Sequence, residues 1–292
     1  MIIMKIKGGL GNQLFQYALG RRLTHFNGAE LKLDISYYDE FKLRGYALHD
    51  LNIKENIATA DDLKALGITD LKELGSTVHR ALERARPFGK RRRIDERSFG
   101  FDPKVLQASK DAYLDGHWQS ERYFAEIADI IRAEFTPRQK LDPTNDKMAS
   151  DITRMSSISL HIRRGDYVTN PANREVYAAC SIDYYRRCIT EMAKRVPDPH
   201  FFVFSDEIEW AKENLNIKQA VTYVDHNSQK EAYKDLYLMS RCRHHIIANS
   251  TFSWWGAWLA DNKDKIVFAP SRWFNAPKPG EQDLIPESWH RI

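Results

Sequence analysis

The stretch from Ser157 to Asp166 reads Ser-Ile-Ser-Leu-His-Ile-Arg-Arg-Gly-Asp. Its first half alternates apolar and polar residues over the length of a strand. His161, Arg163, Arg164 and Asp166 are therefore expected where that strand ends. Guanidinium groups there suit an anionic ligand, because arginine offers phosphate a flat fork of donors. The other reading is a solvated turn held by a surface ion pair, worth roughly 0–1 kcal/mol. Alternate strand residues share a face, so His161 and Arg163 point together and Arg164 points away, toward Asp166 or another acid. His161 reads either as a donor to the ligand or as a core histidine bonded to backbone.

Two further groups of residues have the types such chemistry needs. Asn249-Ser250-Thr251 precede a helix expected from Trp254 to Ala260, so their hydroxyls and amides can cap it, hold phosphate, or do both. Trp254 and Trp255 read as packing between that helix and a sheet. Near the start, Gly8-Gly9-Leu10-Gly11-Asn12 lies between an apolar strand, Met1 to Lys7, and a helix whose Phe15, Leu19, Leu23 and Phe26 recur at helical spacing. Such a turn lets the backbone at Gly9 and Gly11, with Asn12, approach an anion or a sugar. It is followed by a strand ending near Asp34, which is the layout of a dinucleotide-binding turn, but Leu14 stands at the third glycine position.

The elements that must position these residues alternate. A strand from Lys110 to Gly116 and a helix from Glu121 to Phe135 close the first half, and the polar segment 139–145 suits a linker. After the strand 157–163 come a helix from Asp183 to Lys194 and a strand His200–Phe204. Ser205-Asp206 then cap a helix running to Leu215. A strand Ala220–Val224, a helix Gln229–Arg241, and strands at His244–Ala248 and Lys265–Ala269 complete the pattern. This is an α/β chain with a parallel sheet covered on both faces. Arg163, Asp206 and Asn249 all fall at carboxyl ends of strands, where ligands of such sheets bind. The division expected is 1–138, 139–272, and a tail, 273–292, packing back over the body.

Composition narrows the class. The chain has 292 residues, 42% hydrophobic and 29% charged, which is ample material for a core. It has no apolar run near the ~20 residues that span a bilayer, and its first residues do not read as a signal peptide. Three cysteines form neither a disulfide framework nor a metal-ligand spacing, as expected of free thiols in a reducing cytoplasm. Of the net charge of +4, residues 80–97 hold eight Lys or Arg against three acids, a local +5. Positive charge is a local feature.

Three stretches together resemble a known family. Gly8 to Tyr17 looks like the amino-terminal signature of bacterial α-1,2-fucosyltransferases, His161 to Tyr167 like their phosphate-binding motif, and Asn249 to Ala257 like their third signature. Gly116-His117-Trp118-Gln119-Ser120 is similar as well. The resemblance implies two facing Rossmann-like domains of GT-B type, with GDP-fucose in the carboxyl-terminal one. It implies an inverting transfer of L-fucose to O2 of a galactose in a glycan acceptor, in surface-polysaccharide synthesis such as that of O-antigen. No metal or other cofactor is implied, and the chain has no Asp-x-Asp. Arg163 would then bind the β-phosphate, helped by His161, Asn249, Ser250 and Thr251, while Asp235 reads the two N–H donors on the guanine edge. Asn12 and Gln13, beside Gly9 and Gly11, would face fucose or the acceptor. Asp166 is the candidate base, the alternatives being that it only orients Arg164 or that no side chain acts as base. The family's animal and plant members carry a membrane anchor. This chain is expected to be a cytoplasmic member, with residues 80–97 available for peripheral contact at the inner face of the membrane. Two other classes stay open: a dinucleotide-dependent oxidoreductase using Gly9, Gly11 and Asp34, and a nucleic-acid binder through residues 80–97. The resemblance itself expects no nucleic acid.

Overall fold

The computed structural model describes residues 1–41, 45–68, 83 and 85–292 of the chain. These form two compact units, 1–135 with 279–284, and 136–278 with 285–292. Each is an α/β layer structure on a parallel sheet. In the first, β1 (Ile2–Lys5), β2 (Leu31–Asp34), β3 (Arg93–Asp95) and β4 (Ala112–Asp115) pair in the order β2-β1-β4-β3. In the second, β5 (Ser156–Ile162), β6 (Pro199–Ser205), β7 (Ala220–Val224), β8 (His244–Ile246), β9 (Val267–Ala269) and β10 (His290–Arg291) pair in the order β10-β9-β8-β5-β6-β7. Neighbouring strands are parallel throughout.

The second sheet shows why its strands read as unbroken apolar runs. Phe201 and Val203 point to one face, where Tyr185, Cys188 and Met192 of the helix Ile182–Arg195 cover them. Phe202 and Phe204 point to the other, against Ile152, Leu238 and Met239. With both faces covered, the period-2 pattern disappears. The third signature forms the helix Thr251–Leu259, and its Trp254 and Trp255 are fully buried as packing residues. It lies against the helix Ala232–Arg241 so closely that a Cβ on Gly256 would stand 2.9 Å from the Met239 Cβ.

Several expectations are corrected. The segment 139–145 is not a bare linker: Asp142 caps a helix, Pro143–Arg154, by accepting the amides of Thr144 and Asn145. Asp followed by Pro is a helix start, and its polarity conceals that. The helix expected from Glu121 breaks into two short 3₁₀ turns before Ala128–Glu134, although Phe124, Ile127, Ile131 and Phe135 are all buried. Phe26 does not join the apolar face of the helix Leu10–Asn27; it is 53% exposed, with the Arg22 guanidinium stacked over it. The basic stretch contributes β3, and its Arg93 is buried in ion pairs with Asp95 and Asp115. Arg80 and Arg84 lie outside the described residues. Among the described residues no helix is long and apolar enough to cross a membrane.

Candidate functional site

Parallel pairing delivers the carboxyl ends of β8, β5 and β6 side by side. Each end carries part of the site. Arg163 follows β5, Asp206 and Glu207 follow β6, and Asn249 to Thr251 follow β8. The loops are bonded to one another. The Tyr167 hydroxyl donates to the Asn249 carbonyl at 3.0 Å, and the Arg164 amide donates to Asp206 Oδ1 at 3.0 Å.

Arg163 is held at this edge. Its Nη1 lies 2.8 Å from Asp206 Oδ2, and its guanidinium sits over the Tyr167 ring, itself stacked flat on Tyr177 at 4.7 Å. Arg164 turns away, as alternation requires. Its partner is Glu207, Nε to Oε2 at 3.1 Å, and its guanidinium covers Trp210 at 3.9 Å. Asp166 belongs to the short helix Gly165–Thr169; its side chain lies outside the described residues.

His161 is buried, and desolvation, with the nearby Arg163 charge adding to it, pushes its imidazole down to about 3. It is therefore neutral at any working pH. Its Nδ1 meets no hydrogen-bond partner, and its ring leans on Phe252, 5.7 Å away. Ser250 caps the helix Thr251–Leu259 by accepting the Phe252 amide at 3.3 Å. The amino end of that helix, with Thr251 first, thus faces the edge where Arg163 sits, and helix amino ends favour anions. The Asn249 amide fixes this loop, donating to the Trp273 carbonyl at 3.1 Å and accepting from the Cys180 thiol.

Asp235 stands in the first turn of the helix Ala232–Arg241, which leaves the same carboxyl edge after β7. Burial pushes its carboxyl up to about 6, against the hydrogen bond Asn227 donates at 2.7 Å. Asn227 and Asn145 exchange side-chain amides, so the carboxyl is anchored to the helix Pro143–Arg154.

The remaining candidates belong to the first unit. Gly9 is the cap of the helix Leu10–Asn27, its carbonyl accepting the amides of Asn12 and Gln13, and Gly11 is buried in the first turn. The glycine that the turn's geometry demands is Gly8. Its φ is +79°, and a Cβ there would lie 2.7 Å from Asn12 Nδ2. Gln13 and Tyr38 both donate to the Gly8 carbonyl, and Gln119 donates to Asn12 Oδ1 at 2.8 Å. The adjacent 116–120 loop is strained: Trp118 has φ +56°, rare for so bulky a residue. The Glu96 carboxylate holds it there by accepting the amides of His117 and Trp118 at 2.7 and 3.0 Å. A cavity of about 580 Å³ is lined by Trp118 together with Arg93, Glu96 and Tyr123, and the glycine turn is not part of its lining. Asp34, the acid of the oxidoreductase reading, accepts from the Tyr113 hydroxyl at 2.8 Å and the Ser36 amide at 3.0 Å. Those bonds occupy both carboxyl oxygens in the interior.

Sequence reasoning placed Asp206 at the right strand end but read it as a cap. The cap position is Glu207, with no side-chain cap bond. Two acids in a row after β6, facing two arginines after β5, were the signal.

The model of Glycosyl transferase family 11 matches residues 92–292. The chain belongs to that family. It is similar over its whole length to an alpha-1,2-colitosyltransferase of Escherichia coli, at 36% identity and 99% coverage of that protein. It is also similar to the O-antigen biosynthesis glycosyltransferase WbnK of Escherichia coli, at 32% identity, covering 97% of this chain and 98% of that one. A solved structure of an Arabidopsis thaliana FUT1 mutant in complex with GDP shares the fold at a TM-score of 0.53 and 13% identity, over 92% of this chain and 70% of that one.

The raised carboxyl of Asp235 has a consequence for stability. A group whose folded pKa exceeds its unfolded value favours folding when protonated, and that contribution disappears as pH rises through about 6. Asp235→Asn should therefore raise Tm at pH 7.5, with the gain closing toward pH 4. Thermal unfolding at both pH values checks it; an equal gain at both would mean the charge is not the cause.

Proposed function

We propose that this glycosyltransferase moves L-fucose from GDP-β-L-fucose to O2 of a galactose in a glycan acceptor, forming an α-1,2 linkage with inversion, in O-antigen-type polysaccharide synthesis. The observation that carries this reading is Arg163 at the end of β5, flanked by the amino end of the helix Thr251–Leu259 on β8. That pair is a receiver for a diphosphate. The architecture proposed is GT-B, two Rossmann-like domains, with the nucleotide on the second unit and the acceptor on the first.

Binding would proceed as follows. Asp235 accepts the two guanine N–H donors as a carboxylate. His161, neutral, donates one hydrogen bond without adding charge. Ser250, Thr251 and the helix amides receive phosphate oxygens, and Asn249 fixes the loop that presents them. As the fucose–oxygen bond lengthens, negative charge grows on the β-phosphate, and Arg163 stabilises it more strongly than it stabilises the bound sugar nucleotide. Such a site needs no divalent ion. Asp166 is proposed to accept the proton of the acceptor hydroxyl; Glu207 already serves as partner of Arg164. Gly9, Gly11 and Asn12, on the first unit, are proposed to line the sugar side. Exposed Arg86, Lys90, Arg92 and Arg97 are proposed to touch an anionic membrane, at roughly 1 kcal/mol each; absence of salt-sensitive sedimentation with acidic vesicles would remove that contact.

The deciding assay follows GDP release from GDP-fucose with galactosides, in excess EDTA. Turnover should persist. Loss that magnesium or manganese restores would overturn the metal-free account. A parallel arm with GDP-colitose, whose sugar lacks the 3-hydroxyl of fucose, tests the donor. Asp235→Asn should lower the preference for GDP over ADP.

Arg163→Ala should lower turnover by ~10²–10³, the usual cost of losing one such donor. Arg163→Lys should rescue little, because lysine keeps the charge without the planar fork. A folded Arg163→Lys enzyme with most of its turnover would refute the two-pronged role.

A further inference from the structure

The Asp206 carboxylate is engaged on both oxygens by the phosphate loop. Oδ2 lies 2.8 Å from Arg163 Nη1, and Oδ1 accepts the Arg164 amide at 3.0 Å. Side chains of both Arg163 and Asp206 are largely buried, at 18% and 12% exposed, so this is not a screened surface pair of the kind worth little. The next residue is shaped to admit it. A Cβ on Gly165 would stand 2.6 Å from Asp206 Oδ2 and 3.2 Å from its Cγ. The glycine of the Arg-Arg-Gly-Asp stretch thus makes room for an acid on a neighbouring strand.

Resting on the nucleotide-sugar reading above, we infer that Asp206 is a positioning residue: it fixes the Arg163 guanidinium in the orientation in which its fork meets the β-phosphate. An arginine side chain is long and rotamer-rich, and a donor accelerates a reaction most when it is already oriented before charge develops. A guanidinium carries five N–H donors in one plane, so holding one edge on a carboxylate sets the direction of the other. The hydrogen bond that the Arg164 backbone N–H donates to Oδ1 fixes the carboxylate to the loop carrying Arg163, so β5 and β6 set the orientation together. Asp206 acts on the substrate through Arg163.

Asp206→Asn is the first variant, since Asn keeps the oxygen that accepts the Arg164 amide and removes the charge that holds Arg163. Turnover should fall roughly 10–100-fold, taking as a guide the loss seen when the hydrogen-bonded support of a metal ligand is removed. The specific signature lies in binding. GMP lacks the β-phosphate, so its affinity should be unchanged while that for GDP falls, narrowing the ratio between them. In an Arg163→Ala background, Asp206→Asn should cause no further loss of turnover, because the two act as one unit. Gly165→Ala, which crowds Oδ2 without touching the charge, should narrow the same ratio to a smaller degree and serves if Asp206→Asn does not fold. Equal losses for GMP and GDP, losses that multiply in the double variant, or a wild-type ratio in either variant would each overturn the role. A wild type that does not favour GDP over GMP would sink the nucleotide-sugar reading as well. A wild type that favours GDP while the variants keep the ratio would sink only Asp206.

Discussion

Strands that all run one way bring all their carboxyl ends to one edge. In the second unit that constraint organises everything described above. Because β8, β5 and β6 are neighbours, residues about 40 positions apart, Arg163, Asp206 and Asn249, arrive together without any long loop reaching for another. Crossover helices restore the chain to the opposite edge, so the helix after β8 must begin at the edge where Arg163 sits. Its unpaired amides add partial positive charge to a place that already holds a guanidinium. Asp206 supplies a counter-charge there, 2.8 Å from the guanidinium.

The same burial sorts the titratable groups. His161 lies two residues before Arg163 and, desolvated, carries no proton beyond its neutral form; a second cation there would be costly. Asp235 shows the opposite case. Desolvation raises it, and the Asn227 amide opposes that without reversing it. A carboxyl held near 6 is one the fold tolerates at a cost when ionised. Donors from a ligand would favour the ionised form and so recover that cost on binding.

The sequence was most legible where one side chain pattern had one physical cause. The helix expected over Asp183–Lys194 stands at Ile182–Arg195, the strand Ala220–Val224 has the bounds expected of it, and Trp254 and Trp255 are buried as packing residues. It was least legible where a residue's partner lies far along the chain. Asp206, next to Ser205 and before a helical run, has every local mark of a cap, and only the Arg163 contact, 43 residues back, shows otherwise. Asp142 was hidden in the reverse sense, its cap read as part of a polar linker. In the glycine turn, spacing drew attention to Gly9 and Gly11, but the left-handed φ belongs to Gly8. A conformational demand of that kind depends on what approaches the Cα, here Asn12, and no spacing rule contains it.

Two arginines show how position separates scaffold from site. Arg93 and Arg163 both sit at strand boundaries and both pair with carboxylates. Arg93 begins β3, and its guanidinium runs over the Tyr113 ring to Asp95 and Asp115 within the first sheet. At 4% side-chain exposure it is buried, and two acids of its own sheet balance its charge. Arg163 follows its strand instead of opening it, keeps 18% of its side chain exposed, and shares its carboxylate with a backbone amide on its own loop. The first arrangement consumes a charge to fasten strands together. The second fixes the direction of a charge while leaving part of it exposed at the carboxyl end of a parallel sheet, which is the arrangement that the proposed reception of a departing diphosphate would need.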